Sequence, residues 1–405
     1  MAKIYQGWRL MMSSKLVPEL RFKEFSGEWE EKKLGEICNF QQGIQVNLEL
    51  QLKEEQKNYI KFLRIENYTQ NSSDFRYIPN KNISDKQIIN KDDIVIVRYG
   101  ATAGYIGRDF EGVLANNLFK VIPTINLNNE YLYYFLNLIK TFNFFQEAMS
   151  GGAMPALSFG IVGSLKFQFP PTLAEQQKIA NTFSSLDNLI EAQTKKVELL
   201  KSHKKGLMQK LFPRDGAKVP EIRFKEFSGE WEEKPISDLA DRYDNLRIPI
   251  SATDRTEGTT PYYGANGIQS YISGYTHDGE FILIAEDGAN DLKNYPVQYV
   301  NGKIWVNNHA HVLQGKRKIT NNIFLMYAIK NLNMEPYLVG GGRAKLNANI
   351  MMKILILIPP TPQEQQKIAD TLSSLDNLIE AQNKKIELLK EHKKGLMQKM
   401  FVGDK

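Results

Sequence analysis

The side chains of this sequence that could do chemistry are two acidic pairs, two alternating histidines, one cysteine and a few glycine-rich turns. Asp92-Asp93 and Glu286-Asp287 are the kind of carboxylate pair with which a nuclease holds a divalent cation. They do not fall at matching positions, and no lysine follows on the same strand to assist them. His309 and His311 alternate along a strand-like run and can face one side. Without a further His/Cys cluster they predict plain strand positions and no metal site. Cys38 stands alone, so no internal disulfide can form, which fits a reducing compartment. No G-x-x-x-x-G-K-[ST] loop occurs, so ATP-driven translocation is not encoded here. The glycines of 99–107 and 340–342 lack the strand-then-helix setting of a dinucleotide fingerprint and read as turns. Phe169-Pro170-Pro171-Thr172 and Ile358-Pro359-Pro360-Thr361 put an apolar residue where an amino-methylating site needs Asn or Asp to hold the exocyclic amine. At a strand-to-helix joint such prolines have an ordinary structural role. The sequence therefore predicts no catalytic residue.

The elements that must position these residues are organised by an internal repeat. Residues 17–33 (VPELRFKEFSGEWEEKK) return as 219–234 (VPEIRFKEFSGEWEEK), and residues 169–212 match 358–401 at 35 of 44 positions. Between them lie segments 35–168 and 237–357, similar in length and with little identity. Two units of about 200 residues do not make a short-period solenoid. Duplication with constant connectors and divergent domains is the simpler account, in which the connectors face a common partner and the domains face different ligands. A recent duplication whose domains have drifted is the plainer alternative.

Each copy of the longer repeat reads as one helix with a coiled-coil seam. Pro170-Pro171-Thr172 stops the preceding strand and puts Thr172 near the N-cap, with Glu175 at capping-box spacing. Apolar residues at Ile179, Phe183, Leu186, Ile190, Val197, Leu200, Leu207 and Leu211 follow steps of four and three, with Gln193 and Lys204 filling the two remaining seam positions. The second copy keeps the register with Ile368, Leu372, Leu375, Ile379, Gln382, Ile386, Leu389, Lys393, Leu396 and Met400. At 1.5 Å per residue each helix is about 60 Å long. A seam needs a partner, and the other copy supplies one. The sequence predicts an antiparallel pair, with polar Gln193 and Gln382 restricting the register at some cost in stability. Packing of each helix on its own domain is the alternative. The basic run 201–205 reads as cations near a helix C-terminus rather than as a nucleic-acid patch.

Both variable segments alternate short β-branched and aromatic runs with Gly, Asn and Asp turns. Residues 92–98 (DDIVIVR) end at Tyr99-Gly100, and 280–286 (EFILIAE) end at Asp287-Gly288. The run 113–121 carries Asn116-Asn117 where 304–312 carries Asn307-Asn308. A helical stretch follows in each (130–145 and 321–337), then a glycine cluster (Gly151-Gly152 and Gly340-Gly341-Gly342) and a last strand into the proline pair. Two domains of one mixed α/β fold are expected. Basic and acidic residues balance in both, 13 against 13 in 35–168 and 12 against 11 in 237–357. A non-specific phosphate binder would show a clear basic excess. The formal charge of the whole chain, +6, allows an anionic partner without demanding one. No apolar run reaches the roughly 18 residues a membrane helix needs. Residues 1–14 lack the apolar core of a secretion signal, so a cytoplasmic location is expected.

Taken together, these segments resemble the specificity subunit of type I restriction-modification systems. The resemblance rests on PPT-x-x-EQQKIA (170–180 and 359–369), SSLDNLIEAQ (184–193 and 373–382), KKGLMQK (204–210 and 393–399) and RFKEFSGEWEE (21–31, with one Leu-to-Ile change just before its second copy at 223–233). PYYGANGI (261–268) and ILIAEDGAN (282–290) are similar to stretches of that family's domains. Only residues 1–14 fall outside it, with Met11 or Met12 as alternative starts. The resemblance implies a mixed α/β protein with two similar target-recognition domains, joined by two long helices in an antiparallel coiled coil with a pseudo-two-fold repeat. Its expected divisions are an N-terminal extension (1–16), the entry motif and first recognition domain (17–168), the first helix (169–212), a linker with the second entry motif and domain (213–357), and the second helix with its tail (358–405).

The resemblance also implies a chain without catalysis of its own that reads a bipartite, asymmetric target on double-stranded DNA, one half per domain. Two methyltransferase subunits would methylate adenine with S-adenosylmethionine, and two motor-nuclease subunits would join for restriction with ATP and Mg²⁺. Those cofactors belong to the partners; none is expected on this chain, and no membrane is involved. The family has no fixed base-contacting residues, so candidates come from side-chain chemistry beside strand ends, with Arg or Lys for guanine and Asn or Gln for adenine. They are Arg64, Asn67, Arg98, Tyr99, Asn116 and Asn117 in the first domain, and Tyr262, Tyr263, Asn266, Asn308, His309, Arg343 and Lys345 in the second. Each serves structure as readily as binding. A fused polypeptide with its own catalysis is disfavoured by the missing methylation motif and by length. An interaction scaffold for sugar or protein draws slight support from the balanced charge.

Overall fold

The computed structural model describes residues 16–81, 83–149, 156–340 and 344–403. Residues 1–14, Gly151, Gly152, Gly341, Gly342 and Arg343 lie outside them. The chain divides into two units, Met1–Ala192 with Ile386–Lys405, and Gln193–Lys385.

The first unit contains β1 (Glu30–Lys33), β2 (Cys38–Gln42), β3 (Tyr59–Leu63), β4 (Arg76–Pro79), β5 (Ile88–Ile89), β6 (Ile94–Val97), β7 (Ile106–Gly107), β8 (Gly112–Leu114), β9 (Leu118–Pro123) and β10 (Lys166–Phe169). They form a sheet of order β2-β9-β6-β7, a second of order β4-β3-β8-β5, and an antiparallel pair β1-β10. The strand β6 explains the run of four β-branched residues. Ile94 and Ile96 enter the large core that faces the helices, while Val95 and Val97 enter a smaller core on the other side. A strand buried on both faces loses the polar alternation of a surface strand. The expected helical stretch 130–145 is two helices, Asn129–Leu136 and Ile139–Met149. Asn137 ends the first by donating its side-chain amide to the Tyr133 carbonyl at 2.9 Å.

The second unit contains β11 (Glu232–Pro235), β12 (Ala240–Arg242), β13 (Glu257–Gly264), β14 (Gly267–Ile272), β15 (His277–Ala285), β16 (Val297–Val306), β17 (Ala310–Gly315), β18 (Leu338–Val339), β19 (Lys345–Leu346) and β20 (Leu355–Ile358). One six-stranded sheet runs β12-β17-β15-β16-β13-β14. Its central β15 is again buried on both faces, with Ile282 and Ile284 to one core and Phe281 and Leu283 to the other. The stretch expected as helix over 321–337 is helical at Asn322–Lys330 and a single tight turn at Glu335–Tyr337.

The strand pairings of the two units follow the same path. The ten-residue β16 pairs antiparallel with β15 and parallel with β13, holding six strands in one sheet. In the first unit the same path is broken into β7, antiparallel to β6, and β8, parallel to β3. The break is a turn in which Asp109 adopts φ 77°, a left-handed conformation that ends strand pairing. The counterpart of β15 is broken as well, into β5, antiparallel to β8, and β6, antiparallel to β7, so two interrupted strands split one sheet into two.

The repeats account for what is constant. Each long helix, Leu173–Leu211 and Pro362–Met400, has its seam residues buried or half-buried, whereas Leu189, Leu199, Leu378 and Leu388 off the seam are exposed. In the first unit Ile179, Phe183 and Leu186 share a core with Leu396, Met397 and Met400. In the second, Leu207, Met208 and Leu211 share a core with Ile368 and Leu372. The start of each helix meets the end of the other, so the pair is antiparallel. Lys204 and Lys393, the charged seam positions, are ion-paired to Asp376 and Asp187. Those carboxylates also accept the hydroxyls of Tyr327 and Tyr134.

The entry motif locks onto the start of each helix. Arg21 donates Nε and Nη2 to Glu175 at 2.7 and 2.8 Å, and Arg223 meets Glu364 at 2.8 and 2.8 Å. Glu175 thus does not complete the expected capping box with its side chain. Only its backbone N–H reaches Thr172 Oγ1, at 3.4 Å. The polar seam residues Gln193 and Gln382 bury their side-chain oxygens without a hydrogen-bond partner. An unsatisfied buried acceptor costs about 1–3 kcal/mol. The double replacement Gln193→Leu and Gln382→Leu should therefore raise the stability of the second unit, where both lie, by a similar amount. Denaturant unfolding with an unchanged or lower midpoint would show that these amides are not a liability.

Candidate nucleic-acid interface

In both domains the central buried strand ends at the same corner. Leaving β6, the Arg98 N–H donates to the Asn117 carbonyl at 2.8 Å; leaving β15, the Glu286 N–H donates to the His309 carbonyl at 2.8 Å. The carbonyls of Arg98 and Glu286 accept from Leu157 and Leu346 at 2.8 and 2.7 Å. Tyr99 then bridges to Ala156, and Asp287 to Lys345. The chain turns next at Gly100 and Gly288, with φ +88° and +69°, where a side chain would be strained. These shared bonds fix the equivalences: Arg98 with Glu286, Tyr99 with Asp287, Asn116 with Asn308, and Asn117 with His309, one residue away from the expected match of Asn116-Asn117 with Asn307-Asn308.

The first corner is built from donors. Arg98 Nη1 donates to Gln42 Oε1 at 2.6 Å, and Gln42 Nε2 donates to the Asn116 carbonyl at 2.8 Å. The guanidinium lies 4.9 Å from the ring centre of Tyr99 and 5.3 Å from that of Phe159, contacts that orient its plane. Arg98 Nε and Asn117 Oδ1 are buried without partners. Asn116 is exposed, its amide nitrogen 3.4 Å from Gln45 Oε1.

At the second corner the central residue is acidic. Glu286 accepts from Arg247 Nη1 at 2.7 Å and pairs with Lys345 at 3.1 Å. Burial alone would raise its pKa, but Arg247, Lys345 and His311 outweigh it and hold the carboxyl below its ordinary value. Asp244 behaves alike, with burial opposed successfully by His311, the Val312 N–H and Arg247. Asp244, Glu286 and His311 bring three possible ligand atoms within 4.8 Å of one another. Both His311 ring nitrogens are already engaged, Nδ1 on Asp244 at 2.7 Å and Nε2 at the Leu346 carbonyl at 2.8 Å. With Arg247 and Lys345 supplying countercharge, the cluster is a neutralised strut behind the corner. On the outer side His309 Nδ1 lies 2.6 Å from Asp287 Oδ1, and Asn308 is exposed beside it.

The remaining candidates fall differently. Asn67 is fully buried, its amide bonded to the Arg64 N–H at 2.8 Å and the Ser72 carbonyl at 2.9 Å, so it presents no edge to a ligand. Arg64 is held by Glu66 at 2.6 Å and Asp74 at 3.4 Å. Tyr262 is buried, its hydroxyl 3.2 Å from the Ile250 carbonyl. Tyr263 is half-buried against the Phe281–Val312 core, which pushes its hydroxyl pKa up. Asn266 is exposed but spends its amide on the Gly288 carbonyl at 2.9 Å and the Asn290 N–H at 3.0 Å, pinning the corner loop. Arg343 lies outside the described residues. Sequence reasoning missed Gln42, Phe159 and Arg247, which hold the corners from distant parts of the chain. The alignment of the two strand ends was the one signal that pointed there.

The family model described as "Type I restriction modification DNA specificity domain" matches residues 26–201 and 228–391. The chain is 25% identical to the type I restriction enzyme MjaVIII specificity subunit of Methanocaldococcus jannaschii over 95% of this chain and 96% of that one. It is 47% identical over 148 residues to a Haemophilus influenzae protein assigned as a type I restriction enzyme specificity subunit, an alignment spanning 36% of this chain and 38% of the relative. In fold it is similar to the S subunit of the M. genitalium type I restriction-modification system, with a TM-score of 0.65, 18% identity, and coverage of 96% of this chain and 100% of that one. Two copies of the family's domain, each carried by its own copy of the entry motif and helix, place this chain in the type I restriction-modification DNA specificity family.

Proposed function

We propose that the chain is the DNA-reading, non-catalytic subunit of a type I restriction-modification complex, with each domain reading one half of a bipartite, asymmetric target. On this reading the constant segments scaffold two methyltransferase subunits, and two motor-nuclease subunits join for restriction in the cytoplasm. S-adenosylmethionine, ATP and Mg²⁺ are then cofactors of the partners.

The observation that carries the reading is a pairing of surfaces. Exposed apolar residues recur at equivalent places in the two copies: Val17 with Val219, Leu20 with Ile222, Leu189 with Leu378, and Leu199 with Leu388. Leu199 and Leu388 are 71% and 57% exposed. On each helix, Leu189-Ala192-Lys196-Leu199 and Leu378-Ala381-Lys385-Leu388 step by three and four beside the seam, forming a second stripe. Twin stripes, apolar but for Lys196 and Lys385, on constant helices suit two copies of one partner. The corners, in contrast, are built alike and carry different side chains, which suits two different half-sites.

The purified chain alone should transfer no methyl groups to DNA. Together with an adenine methyltransferase subunit it should direct methylation to a two-part sequence. Methyl transfer by the chain alone refutes the non-catalytic assignment. Replacing residues 35–168 with the first domain of another family member should change one half of the methylated motif. A change in both halves would mean that the domains do not read separately.

A further inference from the structure

We propose that the corner at the end of the central strand is the base-reading edge of each domain, and that the exchange of Arg98 for Glu286 at its centre assigns guanine to one half-site and adenine to the other. This inference rests on the reading that the domains recognise DNA, and it names the groups and bases involved.

The first corner has the attributes of a guanine reader. Guanine offers two acceptors, O6 and N7, on its major-groove edge, and a guanidinium answers both with a planar pair of donors. The guanidinium of Arg98 is fixed at Nη1 by Gln42 and flanked by the rings of Tyr99 and Phe159, with Nε buried and Nη2 making no hydrogen bond among the described residues. A long, flexible side chain is thereby ordered before any ligand arrives, which reduces the entropy lost on binding. Structural arginines of this chain look different. Arg21 and Arg223 are bidentate to buried carboxylates, and Arg64 is held by Glu66 and Asp74. Arg98 makes no ion pair among the described residues.

The second corner removes that function. Glu286 stands in the place of Arg98 and is turned inward onto Arg247, Lys345 and His311. Reading passes to the adjoining pair, Asn308 and His309. The amide of exposed Asn308 has one donor and one acceptor, the complement of adenine N7 and N6-amino. His309 has a side chain 37% exposed, with Asp287 holding Nδ1. With the proton at Nδ1, the neutral ring has Nε2 as an acceptor that is an alternative to the Asn308 oxygen for the one amino hydrogen adenine presents in the major groove. Asn266 holds the 288–290 loop that backs the corner, which makes it a positioning residue rather than a base contact.

The test uses the full chain in complex with its methyltransferase subunit, with methylated motifs mapped by long-read sequencing. The wild-type motif should contain a G·C pair in the half that changes when residues 35–168 are exchanged, and an A·T pair in the other half besides any methylated adenine. Arg98→Gln should relax discrimination at that G·C pair by about tenfold to a hundredfold and leave the other half intact. Asn308→Ala should relax one A·T position in the second half only. Should Arg98→Gln not fold, Arg98→Ala, which removes every donor, should show the same loss, whereas Arg98→Lys keeps a donor for guanine and should lose less. A wild-type complex that methylates no defined sequence defeats the DNA-reading assignment itself. A defined motif that lacks the G·C pair, or that Arg98→Gln, Arg98→Ala and Asn308→Ala leave unchanged at every position, overturns this inference and spares that assignment.

Discussion

Arg21→Ala is expected to destabilise the first unit by about 3–5 kcal/mol, the cost of leaving a buried carboxylate without its partner. Glu175 has a side chain only 2% exposed, and Arg21 meets both of its oxygens while also donating to the carbonyls of Ser26 and Gly27. One guanidinium therefore ties the entry motif, its own turn and the first turn of the long helix into a single joint. Trp29 adds a third bond, its indole N–H lying 3.3 Å from Glu175 Oε1. Arg223→Ala should do the same to the second unit through Glu364, whose side chain is 1% exposed. The copies differ in one detail that sharpens the test. Trp231 Nε1 has no partner, so Trp29→Phe loses a hydrogen bond and Trp231→Phe does not. Hydrogen exchange read by mass spectrometry over residues 21–33 and 223–234 would localise the losses. A penalty below about 1 kcal/mol for Arg21→Ala would place the pair with exposed ion pairs. Replacing Arg21 and Glu175 together by methionines should recover most of the loss, because the penalty arises from the orphaned charge.

The parts of the fold legible in the sequence are those written locally. A seam with steps of three and four needs only one helix to be seen, and its recurrence in the second copy led to the expectation of an antiparallel pair before any contact was known. The charged seam positions were visible as gaps at Lys204 and Lys393, but not their filling, since Asp376 and Asp187 stand beside the seam, one residue after Leu375 and Leu186. Glu175 shows how a local rule gives way to tertiary structure. Its spacing from Thr172 suits a capping box, yet a buried arginine from 154 residues away is the stronger partner. The split of one sheet into two was also hidden, because it turns on where two neighbouring strands are interrupted. The corners were half visible. Matching strand ends could be aligned, but residue type does not reveal exposure. Asn67 and Tyr262 have the chemistry of base contacts and lie in the interior, while Gln42 and Phe159 do their work through folding alone.

Inserting one heptad after Gln193 and one after Gln382 should lengthen the non-specific spacer of the target and leave both half-site sequences unchanged. Each long helix runs unbroken from one unit into the other. A heptad returns the seam to the same face, so the matched insertion preserves every a/d contact and adds about 10 Å. That is about three base pairs at 3.4 Å each. Insertion in one helix alone leaves seven residues unpaired and should disrupt the core that Ile179, Phe183 and Leu186 share with Leu396 and Met400, lowering assembly. The half-sites sit on a helix of about 10 base pairs per turn, so a shift of three turns the groove by about 100°. Heptads do not supply that rotation. The double insertion should therefore act more slowly than wild type, with spacers between one and three base pairs longer competing according to how readily the DNA twists. Long-read methylation mapping of the double-insertion complex reads spacer and half-sites at once. A stable, active complex that keeps the original spacer would show that something other than the paired helices sets the distance between the half-sites.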